Sequence, residues 1–142
     1  MILWGLGNTN NQNPELGLVV SNSTTVAVYA RNEEGVVEEV VVVSETKNLT
    51  EGYHFFAVVA NAKGTTLYVD DLSASTDKTI SFAIGQQGQL GSFHGGAIGA
   101  NKVGDNGYCL DDWRVYDAAL TAKEIKALKR ELNPDPFVIR FR

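Results

Sequence analysis

Residues 54–70 read His54-Phe55-Phe56-Ala57-Val58-Val59-Ala60, then Asn61-Ala62-Lys63-Gly64, then Thr65-Thr66-Leu67-Tyr68-Val69-Asp70. Two runs rich in β-branched and aromatic residues flank four residues of turn chemistry, the pattern of a β-hairpin. Working outward, the same rhythm repeats. Towards the N-terminus, Leu16–Val20 and Thr24–Ala30 read as strands joined through Ser21-Asn22-Ser23, and Asn32-Glu33-Glu34-Gly35 turns into Val36–Val43. In that last run Glu38 and Glu39 fall on opposite faces of an otherwise all-valine strand. Strict alternation cannot bury one face around both, so a bulge or an edge guarded by charge is expected.

Towards the C-terminus, Thr79–Ile84 and Cys109–Tyr116 read as further strands, separated by a glycine-rich, loop-dominated stretch from Gly85 to Gly107. One helix is well specified over about residues 121–132. Thr121 is an N-cap with Glu124 three residues on, a capping box. Leu120 and Ile125 form the accompanying hydrophobic staple, and Ile125, Leu128 and Leu132 share one helical face. Asn133-Pro134 ends the helix, and Phe137–Arg142 reads as a terminal strand. Many short strands with one helix imply an all-β sandwich or barrel.

Composition bounds the rest. A chain of 142 residues, 44% hydrophobic and 20% charged, is globular and long enough for one core. No apolar run approaches the ~20 residues of a membrane span, and no secretion signal opens the chain. A single cysteine, Cys109, forbids an intrachain disulfide and a cysteine-cluster zinc site; on a strand it reads as a small buried hydrophobe. Net charge is −5, the wrong sign for a general nucleic-acid binder. The charge is uneven: residues 121–142 carry +3 and residues 1–120 carry −8. The basic segment reads as a solvated helix face, or as a tail that docks on an acidic partner.

Two stretches resemble the laminin-G-like, concanavalin-A-like family of lectin and glucanase jelly-roll domains. The first is Tyr53–Val59 with Thr66-Leu67-Tyr68-Val69-Asp70. The second is Ala97-Ile98-Gly99, then Gly107-Tyr108-Cys109-Leu110-Asp111-Asp112-Trp113-Arg114-Val115-Tyr116, running on through Asp117–Ile125. Together they cover about residues 53–70 and 97–128. The resemblance implies a two-sheet antiparallel jelly-roll sandwich with one short C-terminal helix and a terminal strand, in a single domain over residues 1–142. It departs from the family pattern where Tyr53 replaces a tryptophan and Asp71 stands in place of a turn glycine; aspartate tolerates the left-handed conformation such a turn requires. The family also places strands before a segment like Ile2–Gly7, where this chain begins. We therefore expect 134–142, through Pro136–Arg142, to fill a vacant sheet edge, in its own subunit or in a neighbour, which makes a homo-oligomer an expectation.

Catalytic signatures are missing. The glucanases of this architecture carry Glu-x-Asp-x-x-Glu on one strand, where alternation sets carboxylates on one face; that spacing does not occur. Asp70-Asp71 and Asp111-Asp112 are adjacent, so on a strand each pair would point to opposite faces. His54 and His94 are the only histidines, which excludes a three-histidine zinc site, and nucleophile-elbow, zincin and phosphate-loop patterns are absent. His54, on the hairpin, reads as a structural or surface residue. Asp111 or Asp112 matches the family's recurring aspartate, expected to bond nearby backbone. Many relatives hold calcium at the sandwich rim, and Asp105-Asn106-Gly107 offers oxygens for it. A hard cation needs six to eight such ligands, so an ordinary turn and no cofactor are expected. Trp113 occupies a family core position; Trp4 reads as core or as exposed by the absent strands.

Sugar recognition needs an exposed aromatic with amides or carboxylates around it. His94, Asn101, Asp105, Asn106 and Tyr108 meet that description in one loop-rich segment and are the expected ligand site. Asn22-Ser23-Thr24 and Asn48-Leu49-Thr50 match the glycosylation sequon, taken as chance without a secretion signal. The expected function is a non-catalytic surface module, extracellular or on a particle, that recognises carbohydrate or mediates adhesion through a glycan or protein partner. It involves no nucleic acid and no membrane insertion. The alternative is a structural or assembly protein, such as a virion component, built on the same sandwich.

Overall fold

The computed structural model describes residues 2–7, 14–31, 34, 36–80, 87–90 and 112–132. Among these residues eight strands and one helix follow in chain order: β1 (Ile2–Gly7), β2 (Pro14–Asn22), β3 (Thr25–Arg31), β4 (Val37–Val43), β5 (Phe56–Asn61), β6 (Gly64–Val69), β7 (Leu72–Thr76), β8 (Gln87–Leu90) and α1 (Ala122–Leu132). The strands form two antiparallel sheets, one ordered β4-β3-β2-β1-β8 and one ordered β5-β6-β7. β6 and β7 lie against β4, so the smaller sheet covers one end of the larger as a β-sandwich jelly roll.

The core sits between the sheets, and alternation accounts for its membership. Leu16, Leu18 and Val20 of β2 stand opposite Ala30, Val28 and Val26 of β3, so all six project to one face. Leu67 and Val69 of β6 meet them from the other sheet, both wholly buried, with Phe56, Val58, Ala74 and Ile80 packed around. Each fully buried leucine or valine contributes ~1.5–3 kcal/mol of transfer free energy.

β4 resolves the valine-run puzzle in both ways at once. Val28 pairs with Val41 and Tyr29 with Glu39, which leaves Val40 as an unpaired bulge residue. The bulge resets the alternation, so Val40, Val41 and Val43 are all buried and Glu39 and Val42 are exposed. Among the described residues β4 is also an edge of the larger sheet. Lys78 adds a charge at this strand, its Nζ donating to Glu38 Oε2 (3.3 Å) and to the Glu39 carbonyl (3.2 Å).

The hairpin reading of residues 54–70 holds, with a two-residue turn at Ala62-Lys63 and register Asn61↔Gly64 to Phe56↔Val69. Asn61 Oδ1 accepts from Lys63 N (2.8 Å), and Gly64 takes φ +133° where a Cβ would strike the Thr76 backbone. A second tight turn, Asp70-Asp71, leads into β7, a strand the sequence reading did not anticipate.

Three placements differ from expectation. Residues 112–116 form no strand, and Trp113 is 44% exposed instead of packed in the core. Residues 79 and 80 are likewise not in a strand. Asp70-Asp71 is a turn and not strand, with Asp70 rather than Asp71 in the left-handed region (φ 53°). Trp4 lies on β1 between Leu18 and Leu90, so β1 is flanked on both sides by β2 and β8. The expected terminal strand at 134–142, the remainder of Thr79–Ile84, and Cys109 lie outside the described residues.

Candidate functional site

A cleft of about 610 Å³ opens between the segment after β4, the β6–β7 turn and helix α1. Its floor is set by Asp70. The Asp70 N–H donates to the Phe55 carbonyl (2.9 Å), and Phe55 N returns a bond to Asp70 Oδ1 (2.9 Å). Asp70 Oδ2 lies 2.7 Å from His54 Nδ1, while His54 Nε2 lies 2.9 Å from the Glu51 carbonyl. Both partners of the ring are acceptors, so it donates at both nitrogens as the imidazolium and at one of them when neutral. The pair is mostly covered, with the side chains 9% and 18% exposed. His54 therefore has the structural role expected of it: it ties residues 51–54 to the β6–β7 turn.

The cleft's front wall, residues 44–53, has no regular structure and is held by local bonds. Thr46 N donates to the Thr24 carbonyl (3.1 Å) and Leu49 N to the Ser23 carbonyl (2.7 Å), with Leu49 buried in the core. Asn48 Oδ1 accepts from Thr50 N (3.2 Å) and Thr50 Oγ1 (2.8 Å), while its Nδ2 donates to Glu51 Oε1 (2.7 Å). Glu45 (φ 59°) and Gly52 (φ 79°) make the reversals at either end. This scaffold holds Lys47, Glu51 and Tyr53 at the cleft, and Tyr53 is 83% exposed.

Helix α1 forms the back wall. Its start is the capping box read from the sequence: Thr121 N donates to Glu124 Oε2 (2.7 Å) and Glu124 N to Thr121 Oγ1 (3.3 Å). The bonds that Thr121 N and Thr121 Oγ1 (2.7 Å) donate to the Glu124 carboxylate hold it below its ordinary range. Ile125 is buried beneath the helix and Leu120 is half-buried, in keeping with the staple. Lys126, Lys129 and Arg130 lie at i, i+3 and i+4 and line the cleft together. Lys129 Nζ donates to Asp71 Oδ1 (2.6 Å), closing the helix onto the β6–β7 turn. That hydrogen bond lowers the Asp71 carboxyl from its ordinary value, and the charges of Lys47 and Lys126 add to the effect.

Arg114 makes a further tie outside the cleft. It grips Asp112 through Nε–Oδ1 (2.7 Å) and Nη2–Oδ2 (2.9 Å) and reaches Glu131 Oε1 on α1 (3.0 Å). The two carboxylates hold its guanidinium firmly protonated. Asp112 thus binds a side chain where bonding to backbone was expected; Asp111 lies outside the described residues.

The ligand site expected from sequence, His94, Asn101, Asp105, Asn106 and Tyr108, lies wholly outside the described residues. The residues that sequence reading missed are those of the cleft. Its helical cations were visible as a basic segment, but nothing local pairs residue 47 with residues 126–130. None of the described helices is long and apolar enough to cross a membrane.

The comparison with known proteins agrees with this architecture. No curated protein and no solved structure gives a significant match. The family model described as the concanavalin A-like lectin/glucanases superfamily matches residues 2–126, taking in both sheets and the first turn of α1. The chain belongs to the concanavalin A-like lectin/glucanase superfamily.

Proposed function

We propose that the protein is a non-catalytic binding module that recognises carbohydrate, outside the cell or on a particle surface. The observation that carries this reading is Tyr53, a ring left 83% exposed at the rim of a polar cleft. The apolar face of a sugar ring covers such an aromatic, and the surrounding Lys47 and Asn48 supply donors for its hydroxyls. Family membership supports a binding role for the sandwich.

The engagement of the cleft's carboxylates supports the non-catalytic part. Glu51 accepts from Asn48, Asp70 from Phe55 N and His54, and Asp71 from Lys129. A glycoside hydrolase requires two carboxyl groups free to act on the scissile bond as acid and as nucleophile or base. Here all three are committed to holding the cleft together.

Binding to a glycan array, followed by titration of the strongest ligand against Tyr53→Phe and Tyr53→Ala, tests the reading. Phenylalanine keeps the stacking face and retains affinity; alanine loses about tenfold, equivalent to ~1.4 kcal/mol. A chain that binds no saccharide at millimolar concentration and forms a concentration-independent symmetric oligomer would instead be a structural building block.

A further inference from the structure

The charges around Asp71 do not balance. Lys129 engages that carboxylate directly, and Lys47 and Lys126 are near enough for their charges to act on it as well. Arg130 lines the same cleft. The other two carboxylates there, Glu51 and Asp70, are satisfied by Asn48 and by His54 with Phe55 N. Lys47, Lys126 and Arg130 form no ion pair with any described residue, and all three are exposed. Lys126 and Arg130 are moreover like charges at i and i+4, a placement that slightly destabilises a helix. On a chain whose net charge is −5, three uncommitted cations around one aromatic-rimmed cleft form a local exception.

We propose that this cleft takes an acidic saccharide, with Lys47, Lys126 and Arg130 receiving its carboxylate or sulfate groups while a sugar ring stacks on Tyr53. The proposal rests on carbohydrate recognition as the function and specifies the class of sugar. The geometry divides the work. Arg130 offers a planar fork that matches an oxyanion bidentately, and the two lysines act as point charges on either wall. Lys129 stays with Asp71 and fixes the helix. The cleft's volume of about 610 Å³ lies within the range that holds a small ligand. The negative charge elsewhere on the chain repels polyanions and confines them to this spot.

The test measures binding of the full chain to four hexameric probes: an oligogalacturonate, a sulfated saccharide, a neutral β-glucan and single-stranded DNA. Each is measured at 50 and 200 mM salt. The K47A/K126A/R130A variant is measured in parallel, with its urea unfolding midpoint as a check that it folds. One or both acidic saccharides should bind more tightly than the neutral one, and which of them does so identifies carboxylate or sulfate. Three ionic contacts predict an affinity loss of about 20- to 40-fold between the two salt concentrations. The triple variant should keep its unfolding midpoint and lose the preference for acidic sugars together with the salt dependence.

Equal, salt-insensitive binding of neutral and acidic sugars would overturn the acidic-saccharide assignment and leave carbohydrate recognition standing. DNA bound as tightly as the acidic sugars would also overturn it, by making the cleft a general polyanion site. An unchanged acidic preference in a folded triple variant would move the site away from these cations. Failure to bind any saccharide would refute the underlying function.

Discussion

Replacing Asp70 sets two opposing effects against each other, and the structure decides between them. Asp70 holds a left-handed backbone conformation, φ 53°, which costs a non-glycine residue ~1–2 kcal/mol that glycine would recover. Its carboxylate also accepts two hydrogen bonds, from Phe55 N at 2.9 Å and His54 Nδ1 at 2.7 Å. Bonds to a charged acceptor contribute ~1.5–3 kcal/mol each, and His54, only 9% exposed, would lose its partner at Nδ1. The bonds win. Asp70→Gly should destabilise by about 2–4 kcal/mol, and Asp70→Ala by about 1 kcal/mol more because it keeps the strain. Asp70→Asn retains an acceptor for Phe55 N and tolerates the conformation, so it should cost the least of the three. Urea unfolding at neutral pH measures this as a fall in midpoint at constant slope. An Asp70→Gly variant as stable as the parent would refute the reasoning, because backbone strain would then outweigh the carboxylate's contacts.

Other consequences follow from the same structure. Leu67→Ala, at a wholly buried centre of the smaller sheet, should lower stability by ~2–5 kcal/mol in the same assay, and a loss under ~1 kcal/mol would contradict the core assignment. Gly64→Ala should cost about 2–5 kcal/mol, since its Cβ meets the Thr76 backbone at φ +133°; an unchanged midpoint would mean the β5–β6 turn differs from this one. Asp71 and Glu124 both titrate below their ordinary values of 3.8 and 4.5 when folded. Their contribution is therefore complete above the ordinary carboxylate range and is lost as pH falls through the lowered folded values. Protection factors of the α1 amides, taken relative to intrinsic exchange at each pH, should fall on acidification below ~pH 4; protection unchanged down to pH 2 would contradict both contacts.

The parts of the fold that sequence made legible are those governed by local chemistry. Thr121 and Glu124 specify a helix start by their spacing alone, and Asn61–Gly64 specifies a turn between two β-rich runs. Glu38-Glu39 within valines forces a bulge or a guarded edge because alternation has no other solution. β7 escaped notice because Leu72-Ser73-Ala74-Ser75-Thr76 is short and small, and its pairing with β6 makes it a strand. Trp113 was misplaced for a related reason: its position on a family pattern implied a strand that residues 112–116 do not form. The cleft was the least legible. Its opposing walls are about 80 positions apart, and Lys129 meets Asp71 across 58 residues. Basic spacing on α1 showed that a charged face existed but could not show that Tyr53 and Lys47 stood across from it.

The central claim is that saccharide is held between Tyr53, Lys47 and the basic face of α1. An amide-resolved NMR titration of the full chain with the best-binding acidic hexasaccharide tests it most directly. The account predicts that the saturating shifts concentrate at residues 47–54, 70–71 and 126–130. Shifts confined to residues 91–111, with the cleft amides unmoved, would contradict it.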